Sequence, residues 1–274
     1  EPSRKYSNWY PAISLSWNKN KWSATLACTN KTKRPNYSSL RNEVQYDNRY
    51  LYEGGNPYLR PCVISNIDLN VVYKWLSLNA GYNYIDKPII WTSTLYHGKD
   101  IIFQRSLNFS NDQDLYASLV AEPRFGWYNP MFEIDYSQTF LSTAGFDIEG
   151  IASKPSFRLR CNNRFDISKT IKAYLNMKYR TSVHDGLQYT KPYSQMDIRL
   201  SKTFCKEAWQ ISLFANDLFR QSKERWTTYG SRTSITKNCY EYYRCVGLVV
   251  RYRFNTANSK YKGIGAGNAE KNRL

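Results

Sequence analysis

Apolar and polar residues alternate with a period of two along almost the whole chain, and this pattern limits the fold more than any other feature. The stretch from Tyr240 to Phe254 shows it clearly, because from Val246 onward every second residue is apolar while Arg251 and Arg253 fall between them. Successive side chains of a β-strand point to opposite faces, so the pattern predicts a strand with one apolar and one charged face. A half-buried strand of a soluble sandwich has the same pattern, so this stretch alone does not decide the environment.

The same alternation predicts an all-β protein of about thirteen strands, with no segment of helical period. The expected strands cover residues 10–17, 21–31, 63–73, 76–84, 89–96, 101–109, 115–125, 131–141, 156–167, 171–181, 196–204, 209–228 and 240–254.

The connections between these strands differ in length. Tight turns are expected at 18–20, 74–75, 97–100, 126–129, 168–170 and 205–207, and long loops at 32–61, 142–155, 182–193 and 229–238. If the closing strand ends in the periplasm, every tight turn falls on that side, although the outside connections near 86–88 and 110–112 are also short. Outer-membrane barrels have short periplasmic turns and longer outside loops. The pattern therefore predicts an antiparallel up-and-down transmembrane β-barrel.

Aromatic residues support a membrane environment. They make up 16% of the chain, which suits either a sugar-binding surface or a membrane-interface belt. The mean hydropathy is -0.65, and no run approaches the ~18 apolar residues of a membrane helix. Five tryptophans lie at or beside the tight turns, where an aromatic girdle would meet lipid headgroups: Trp17, Trp22, Trp75, Trp127 and Trp209.

The two faces of the strands are expected to meet different surroundings. Apolar faces that would meet lipid include Val246, Leu248, Val250, Leu175 and Met177. Polar faces that would line a hydrated lumen include Arg158, Arg160, Lys172, Lys178, Arg251 and Arg253. Glu133 and Asp135 share the inward face, and we expect them to pair with arginines rather than to act as an acid and base.

Other classes of protein are disfavoured. The net charge of +17 is spread over every segment, so we predict no nucleic-acid partner. Only His97 and His184 could titrate near neutral pH, and no nucleophile, Walker or zinc-protease motif is present, so we predict no enzyme and no cofactor. The six cysteines form no CxxC pair, which disfavours a metal site; Cys239 and Cys245 either pair or remain isolated thiols.

Three motifs carry a family resemblance. RPNYSSL (34–40) followed by GNPYLRP (55–61), then ISLFANDLF (211–219) and the ending YRF (252–254), resemble segments of TonB-dependent receptor barrels, in the correct order. The residues that match are Gly55, Asn56, Pro57, Leu59, Pro61, Asn216, Asp217, Phe219 and Phe254. The whole chain resembles the C-terminal portion of the outer-membrane barrels typical of Bacteroidetes.

The resemblance implies a larger protein. Such receptors have a barrel of ~22 strands filled by an N-terminal plug, so we expect this chain to be a C-terminal part, with barrel residues 1–254 and a disordered polar periplasmic tail at 255–274. The chain opens with Glu1 and no leader, which also favours a piece of a longer chain. Implied partners are outer-membrane lipid, the barrel-assembly machinery, and the TonB complex through a plug absent from this chain.

The implied function is import of a bulky ligand, such as a metal chelate, cobalamin or a glycan, across the outer membrane of a Gram-negative bacterium. Ligand contacts are expected in the outside loops, at Tyr37, Tyr46, Arg49, Tyr50, Tyr52, Tyr189, Lys191 and Tyr193. Two alternatives stay open: an outer-membrane barrel that binds or anchors without transport, and a soluble all-β glycan-binding module.

Overall fold

The computed structural model describes residues 9–148, 151–239 and 243–254. Within them the chain is all-β, with one short 3-10 helix at Tyr37–Leu40. The strands are β1 (Ala12–Lys19), β2 (Trp22–Lys33), β3 (Val44–Asn48), β4 (Leu51–Gly54), β5 (Cys62–Tyr73), β6 (Leu76–Asp86), β7 (Ile89–Leu95), β8 (Ile102–Asn108), β9 (Asn111–Ala121), β10 (Tyr128–Thr139), β11 (Ser156–Asp166), β12 (Ile171–Arg180), β13 (Val183–Asp185), β14 (Gln188–Thr190), β15 (Tyr193–Phe204), β16 (Trp209–Asn216), β17 (Glu224–Gly230), β18 (Thr233–Cys239) and β19 (Cys245–Tyr252). No helix in these ranges is long and apolar enough to cross a membrane.

Eleven strands form one antiparallel sheet, the main sheet, in the order β1-β2-β5-β6-β9-β10-β11-β12-β15-β16-β19. Each strand lies beside the next member of the series along the chain, so the arrangement is up-and-down, as the sequence predicts. The strands that cross in this way are 8 to 12 residues long, close to the ~9–11 residues that a tilted strand needs to span a membrane.

One face of the main sheet is apolar from edge to edge. The register places Leu15 opposite Leu26, Leu26 opposite Leu69, and Leu69 opposite Ala80, so an apolar row crosses the strands. Large side chains of this face remain exposed, among them Leu15, Leu26 and Leu248. An apolar surface of this extent is typical of a face that meets lipid rather than water. The residues of β12 and β19 that were predicted to face lipid lie together on this face.

The opposite face is polar and hydrogen-bonded between strands. Asp68 accepts hydrogen bonds from the Asn79 amide at 2.9 Å and from the Tyr116 hydroxyl at 2.7 Å. Farther along the sheet, the Ser118 hydroxyl donates to Asp135 at 2.7 Å. These contacts link strands of the main sheet, and the one from Tyr116 reaches across β6 to β5. They lie on the side where a barrel has its lumen, because the faces of a strand alternate.

The two ends of the main sheet differ as predicted. Five short connections lie at one end, at 20–21, 74–75, 122–127, 167–170 and 205–208, and five long ones at the other, at 34–61, 87–110, 140–155, 181–192 and 217–244. The predicted girdle tryptophans all lie at the short-turn end, with exposed fractions from 38% to 63%. Two of them pack against tyrosines of the neighbouring strand: Trp22 stacks on Tyr73 at 4.3 Å, and Trp209 lies tilted against Tyr252 at 4.6 Å.

Some sequence predictions within the sheet were wrong. The stretches 89–96 and 101–109 are not barrel strands: β7 and β8 form a hairpin inside the 87–110 connection, so the main sheet has eleven strands rather than about thirteen. The turn at 97–100 therefore lies at the long-loop end. The short connections near 86–88 and 110–112 join the hairpin to β6 and β9 and do not link barrel strands to each other. With seven residues each, β7 and β8 are too short to cross a membrane.

Of two further predictions, one is corrected by the structure and the other lies outside the described residues. The expected strand 209–228 is divided into β16 and β17 by an irregular segment at 217–223. The expected tail at 255–274 lies outside the described residues and stays a prediction.

Candidate functional site

The long connections fold into two small sheets at one end of the main sheet. The first loop sheet has the order β3-β4-β8-β7, with β4 and β8 parallel, and the second loop sheet has the order β13-β14-β17-β18. The buried apolar side chains of the described ranges lie in this region or where the main sheet meets it: Leu59, Cys62, Phe103, Phe109 and Leu187. The packed core of the described chain is therefore in its loop layer, whereas the main sheet leaves its apolar face open.

The GNPYLRP segment fastens the first long connection to the β7–β8 hairpin. The Asn56 amide donates to the Ser106 carbonyl at 3.1 Å, and the backbone N–H of Asn56 donates to the Ser39 carbonyl at 2.7 Å. From the hairpin, the Asn108 side chain donates to the Arg60 carbonyl at 2.9 Å and accepts from the Arg60 N–H at 2.7 Å. A Cβ at Gly55 would overlap the Arg41 carbonyl, so the backbones approach more closely here than any other residue permits.

The second family motif closes the turn that follows β16. Asp217 is 0% exposed, and its carboxylate accepts a hydrogen bond from the Ser222 hydroxyl at 2.6 Å and from the Gln221 N–H at 2.9 Å. The Asp217 N–H donates to Asp197 of β15 at 2.8 Å, which fixes the turn to the main sheet. By contrast, Phe219 and Phe254 are exposed. Both motifs thus hold loops in place.

The two loop sheets contact each other through β7. The Ser93 hydroxyl lies 2.6 Å from that of Thr233, and the Ser231 N–H donates to the Ser93 carbonyl at 2.9 Å. Gly230 permits this approach, since a Cβ there would overlap Ser93. The 140–155 connection also takes part in this contact, because the Arg232 guanidinium donates to the Asp147 carboxylate at 2.6 Å. Loops that are far apart in sequence therefore form one continuous layer.

A change at this contact gives a first testable prediction. Gly230→Val should separate the two loop sheets, because the added side chain has no space beside Ser93. We expect a loss of about 1–3 kcal/mol in local stability and a correspondingly faster tryptic cleavage of the 217–244 connection. Ser234→Val, at an exposed position of the neighbouring strand β18, is the matched control. Equal cleavage rates in the two variants would contradict the contact.

One face of the first loop sheet carries a cluster of aromatic rings, here called the aromatic cluster: Tyr46, Tyr52, Tyr96, His97 and Phe103. Their ring centroids are 4.4 to 5.7 Å apart. A cavity of about 300 Å³ lies against it, lined in part by Tyr96, Phe103 and Arg105. The Arg105 guanidinium lies 5.4 Å from the Phe103 ring, and its Nε is buried with no hydrogen-bond partner in the described residues.

The other face of the same sheet is polar. Cross-strand pairing places Gln45 opposite Glu53, and Glu53 opposite Gln104. These residues lie near Trp91, which is half exposed, and Gln45, Glu53 and Trp91 line a second cavity of about 280 Å³. The first loop sheet thus offers an aromatic, cationic surface on one side and a carboxylate-amide-indole surface on the other.

The structure brings only some of the expected ligand contacts together. Tyr46 and Tyr52 join the aromatic cluster, and Arg49 lies over the ring of its neighbour Tyr50 at 4.9 Å. Tyr37 is 93% exposed on the 3-10 helix.

The remaining expected contacts belong to other elements. Tyr189 and Lys191 lie in or beside β14 of the second loop sheet, and Tyr193 begins β15 of the main sheet. Tyr189 packs against His184 at 4.8 Å. Burial, and after it the Lys154 ammonium, lowers the pKa of His184 below its usual value, so the imidazole is neutral at pH 7.

Sequence reasoning missed Tyr96, His97, Phe103, Arg105 and Trp91 as site residues. It assigned them to two barrel strands and a periplasmic turn. The strands predicted there are as long as the ones predicted at 10–17 and 196–204, which do belong to the main sheet, so their length gave no signal.

The predicted pairing of Glu133 and Asp135 with arginines is confirmed. Arg160 forms an ion pair with Glu133 and lies 3.5 Å from Asp135, and Arg158 lies 3.7 Å from Asp135. The six cysteines are free thiols, including Cys239 and Cys245. In the described ranges, no group of three or more His, Cys, Asp or Glu side chains is placed to hold a metal ion.

An up-and-down sheet with a lipid-type face, a polar face, an aromatic girdle and all long loops at one end defines an outer-membrane β-barrel. Residues 1–252 match the outer membrane protein beta-barrel family, and the chain belongs to that family. It is therefore a protein of the Gram-negative outer membrane. No curated protein matches the chain in sequence.

Solved structures of receptors share this fold at low identity. The siderophore receptor PirA from Pseudomonas aeruginosa superposes with a TM-score of 0.61 at 14% identity, over 85% of this chain and 42% of the receptor. PirA from Acinetobacter baumannii gives 0.58 at 14%, over 90% and 41%. A mutant of the ferric enterobactin receptor PfeA from Pseudomonas aeruginosa, in complex with enterobactin, gives 0.55 at 13%, over 80% and 36%. The chain thus spans about two fifths of these receptors.

Proposed function

We propose that this chain is the C-terminal barrel portion of a TonB-dependent receptor of the Bacteroidetes type, a non-enzymatic transporter that takes a bulky ligand through its loop layer. The observation that carries this proposal is the aromatic cluster, of which Tyr96, His97 and Phe103 line a cavity of about 300 Å³ in the loops above a barrel sheet. Aromatic rings beside an arginine suit a large ligand with flat or anionic groups. The likeness to siderophore receptors supports the barrel but not the ligand.

The open edges of the main sheet support the view that the chain is part of a larger barrel. In the described residues β1 and β19 each pair on one side only, and they do not pair with each other. Unpaired backbone groups are too costly in lipid for such edges to persist. Eleven strands are half of a barrel of ~22, so another part of the same protein would supply the remaining strands and the plug that contacts the TonB complex. Insertion would require the barrel-assembly machinery.

A first experiment tests the size and environment of the native protein. We expect the native gene product in outer-membrane extracts to be much larger than 32.2 kDa, to require detergent, and to shift on a gel when heated. A product of this size that dissolves in buffer would favour the soluble β module, and a detergent-requiring product without a plug would favour a barrel that only binds or anchors.

A second experiment tests transport. Cells that express the full-length protein should take up one of three probes, ferric enterobactin, cobalamin or a maltooligosaccharide, and collapse of the proton gradient should stop the uptake. Binding without gradient-dependent uptake would support the anchoring alternative.

The polar face of the first loop sheet favours a glycan as the second ligand class. An indole surface together with carboxylate and amide groups is suited to stacking on a sugar and bonding its hydroxyls, and Trp91, Glu53 and Gln45 provide these groups around one cavity. Trp91→Ala should then weaken oligosaccharide binding while ferric enterobactin binding stays unchanged.

Within the aromatic cluster, Tyr52→Ala is the informative change. Tyr52 contacts both Tyr46 and Tyr96, so its removal should loosen the cluster and weaken binding of the transported probe roughly tenfold. Asp47→Ala is the control, because this residue is exposed in the same connection and is not an expected ligand contact. Equilibrium binding to purified protein, followed by tryptophan fluorescence, measures the effect. If both variants bind as the wild type does, the site lies elsewhere.

A further inference from the structure

A block of four cations lies on the polar face of the main sheet, toward the long-loop end of β11 and β12. The register places Arg158 directly opposite Arg180 and Arg160 directly opposite Lys178. Like charges at directly opposed positions of a sheet repel each other. Such an arrangement is stable only when anionic groups lie close to it.

The protein supplies such groups to one half of the block only. On β10, Glu133 and Asp135 pair with Arg160 and Arg158. No ion pair to Lys178 or Arg180 exists in the described residues. The block therefore has a neutralised side on β11 and an unneutralised side on β12.

Arg180 shows the imbalance most clearly. Its Nε and Nη2 atoms are buried and have no hydrogen-bond partner in the part of the chain that the structure describes. The guanidinium carbon lies 5.8 Å from the ring of Tyr193, which holds the group from one side. Buried donors without acceptors are rare in folded proteins and costly. A guanidinium with two free N–H groups is suited to an oxyanion that accepts from both.

The nearby carboxylates are engaged elsewhere. Asp197 accepts from the Gln195 amide at 2.9 Å and from the Asp217 N–H at 2.8 Å. Asp217 accepts from the Ser222 hydroxyl and lies fully buried in its own turn. Glu224, at the start of β17, forms no ion pair with these cations. None of these groups satisfies the free N–H groups of Arg180.

We infer that Lys178 and Arg180 form a subsite for a phosphate or carboxylate group of a diffusible solute, on the lumen wall below the loop layer. Residues two apart on one strand share a face and lie about 7 Å apart, so one oxyanion between them can contact both side chains. The inference rests on the proposed function in one respect, since it requires that the polar face borders a lumen that solutes enter. It adds a charged binding step that is separate from the aromatic cluster.

The experiment uses the full-length protein purified in detergent and inorganic phosphate as the probe. Phenylglyoxal, which modifies accessible arginines, is applied with and without phosphate, and mass spectrometry measures the modification of each arginine peptide. Phosphate should slow modification of Arg180 roughly tenfold and leave Arg251, on the polar face of β19, unchanged. Lys178→Gln should reduce this protection several-fold.

Lys172→Gln is the matched control variant. Lys172 lies on the same strand and face, six residues and thus about 20 Å from Lys178, so the protection of Arg180 should persist. Equal protection of Arg180 and Arg251, or protection that survives in Lys178→Gln, would overturn the subsite. An Arg180 that phenylglyoxal never modifies would also overturn it, because a protein group rather than a solute would then cover the guanidinium.

These outcomes are distinct from those that test transport. Phosphate protection of Arg180 without gradient-dependent uptake would retain the subsite in a barrel that only binds. Gradient-dependent uptake without phosphate protection of Arg180 would support the proposed transporter and contradict the subsite.

Discussion

Leu175→Arg should destabilise the folded barrel by about 2–4 kcal/mol, whereas Asn176→Arg, one residue further along β12, should change its stability by less than about 1 kcal/mol. Leu175 is at the middle of the strand and on the apolar face, opposite Ile198 of β15. A charged group there must either enter the hydrocarbon region or distort the bilayer to reach water. The cost is greatest at the centre of the membrane and falls toward the interfaces.

Asn176 is a stringent control for this prediction because it differs only in the face that it occupies. It lies opposite Asn162 and Asp197 on the polar face, where a guanidinium meets water and a carboxylate. Unfolding of the full-length variants by denaturant in phospholipid vesicles measures both free energies. Similar losses at the two positions would show that the apolar face is not the lipid face, and the soluble alternative would then account better for the sheet.

The features that could be predicted from sequence are those that depend on neighbouring residues. Alternation identified the strands of the main sheet, and the girdle tryptophans marked its short-turn end, because both signals are local. The pairing of Glu133 and Asp135 with arginines followed from their shared face and from the arginines of β11. The transmembrane barrel fold therefore rested on local patterns that repeat in every strand.

The loop layer could not be predicted in the same way. Any strand with one buried face alternates, so β7 and β8 resembled membrane strands although they pack into a loop sheet. Counting β7 and β8 as barrel strands adds an even number of strands, which does not change the direction in which any other strand runs. The short-turn and long-loop ends of the main sheet were therefore still assigned correctly. The contact between Ser93 and Thr233 joins residues 140 positions apart, and no local pattern indicates it. The aromatic cluster depends on contacts of this kind.

Breaking the ion pair between Arg160 and Glu133 is expected to have the second large effect on stability. Arg160→Met should destabilise the barrel by about 2–4 kcal/mol, because it leaves the Glu133 carboxylate buried without its cation. This expected loss of stability is at the lower end of the range for breaking a buried ion pair, since the Arg160 side chain is 35% exposed and partly screened by water. Arg158 cannot replace the lost partner, because its register partner is Asp135 rather than Glu133.

A double-mutant cycle separates this effect from a loss of packing. Glu133→Gln combined with Arg160→Met removes both charges, and we expect the double variant to be within about 1 kcal/mol of the wild type and more stable than Arg160→Met alone. Denaturant unfolding in vesicles gives all four free energies. Lys172→Met, on the same polar face near the short-turn end, is the control for loss of a cation that has no ion-pair partner among the described residues. A double variant as unstable as Arg160→Met would mean that Arg160 acts through its aliphatic contacts. In that case packing and hydrogen bonds, and not the ion pair, would hold the polar face together.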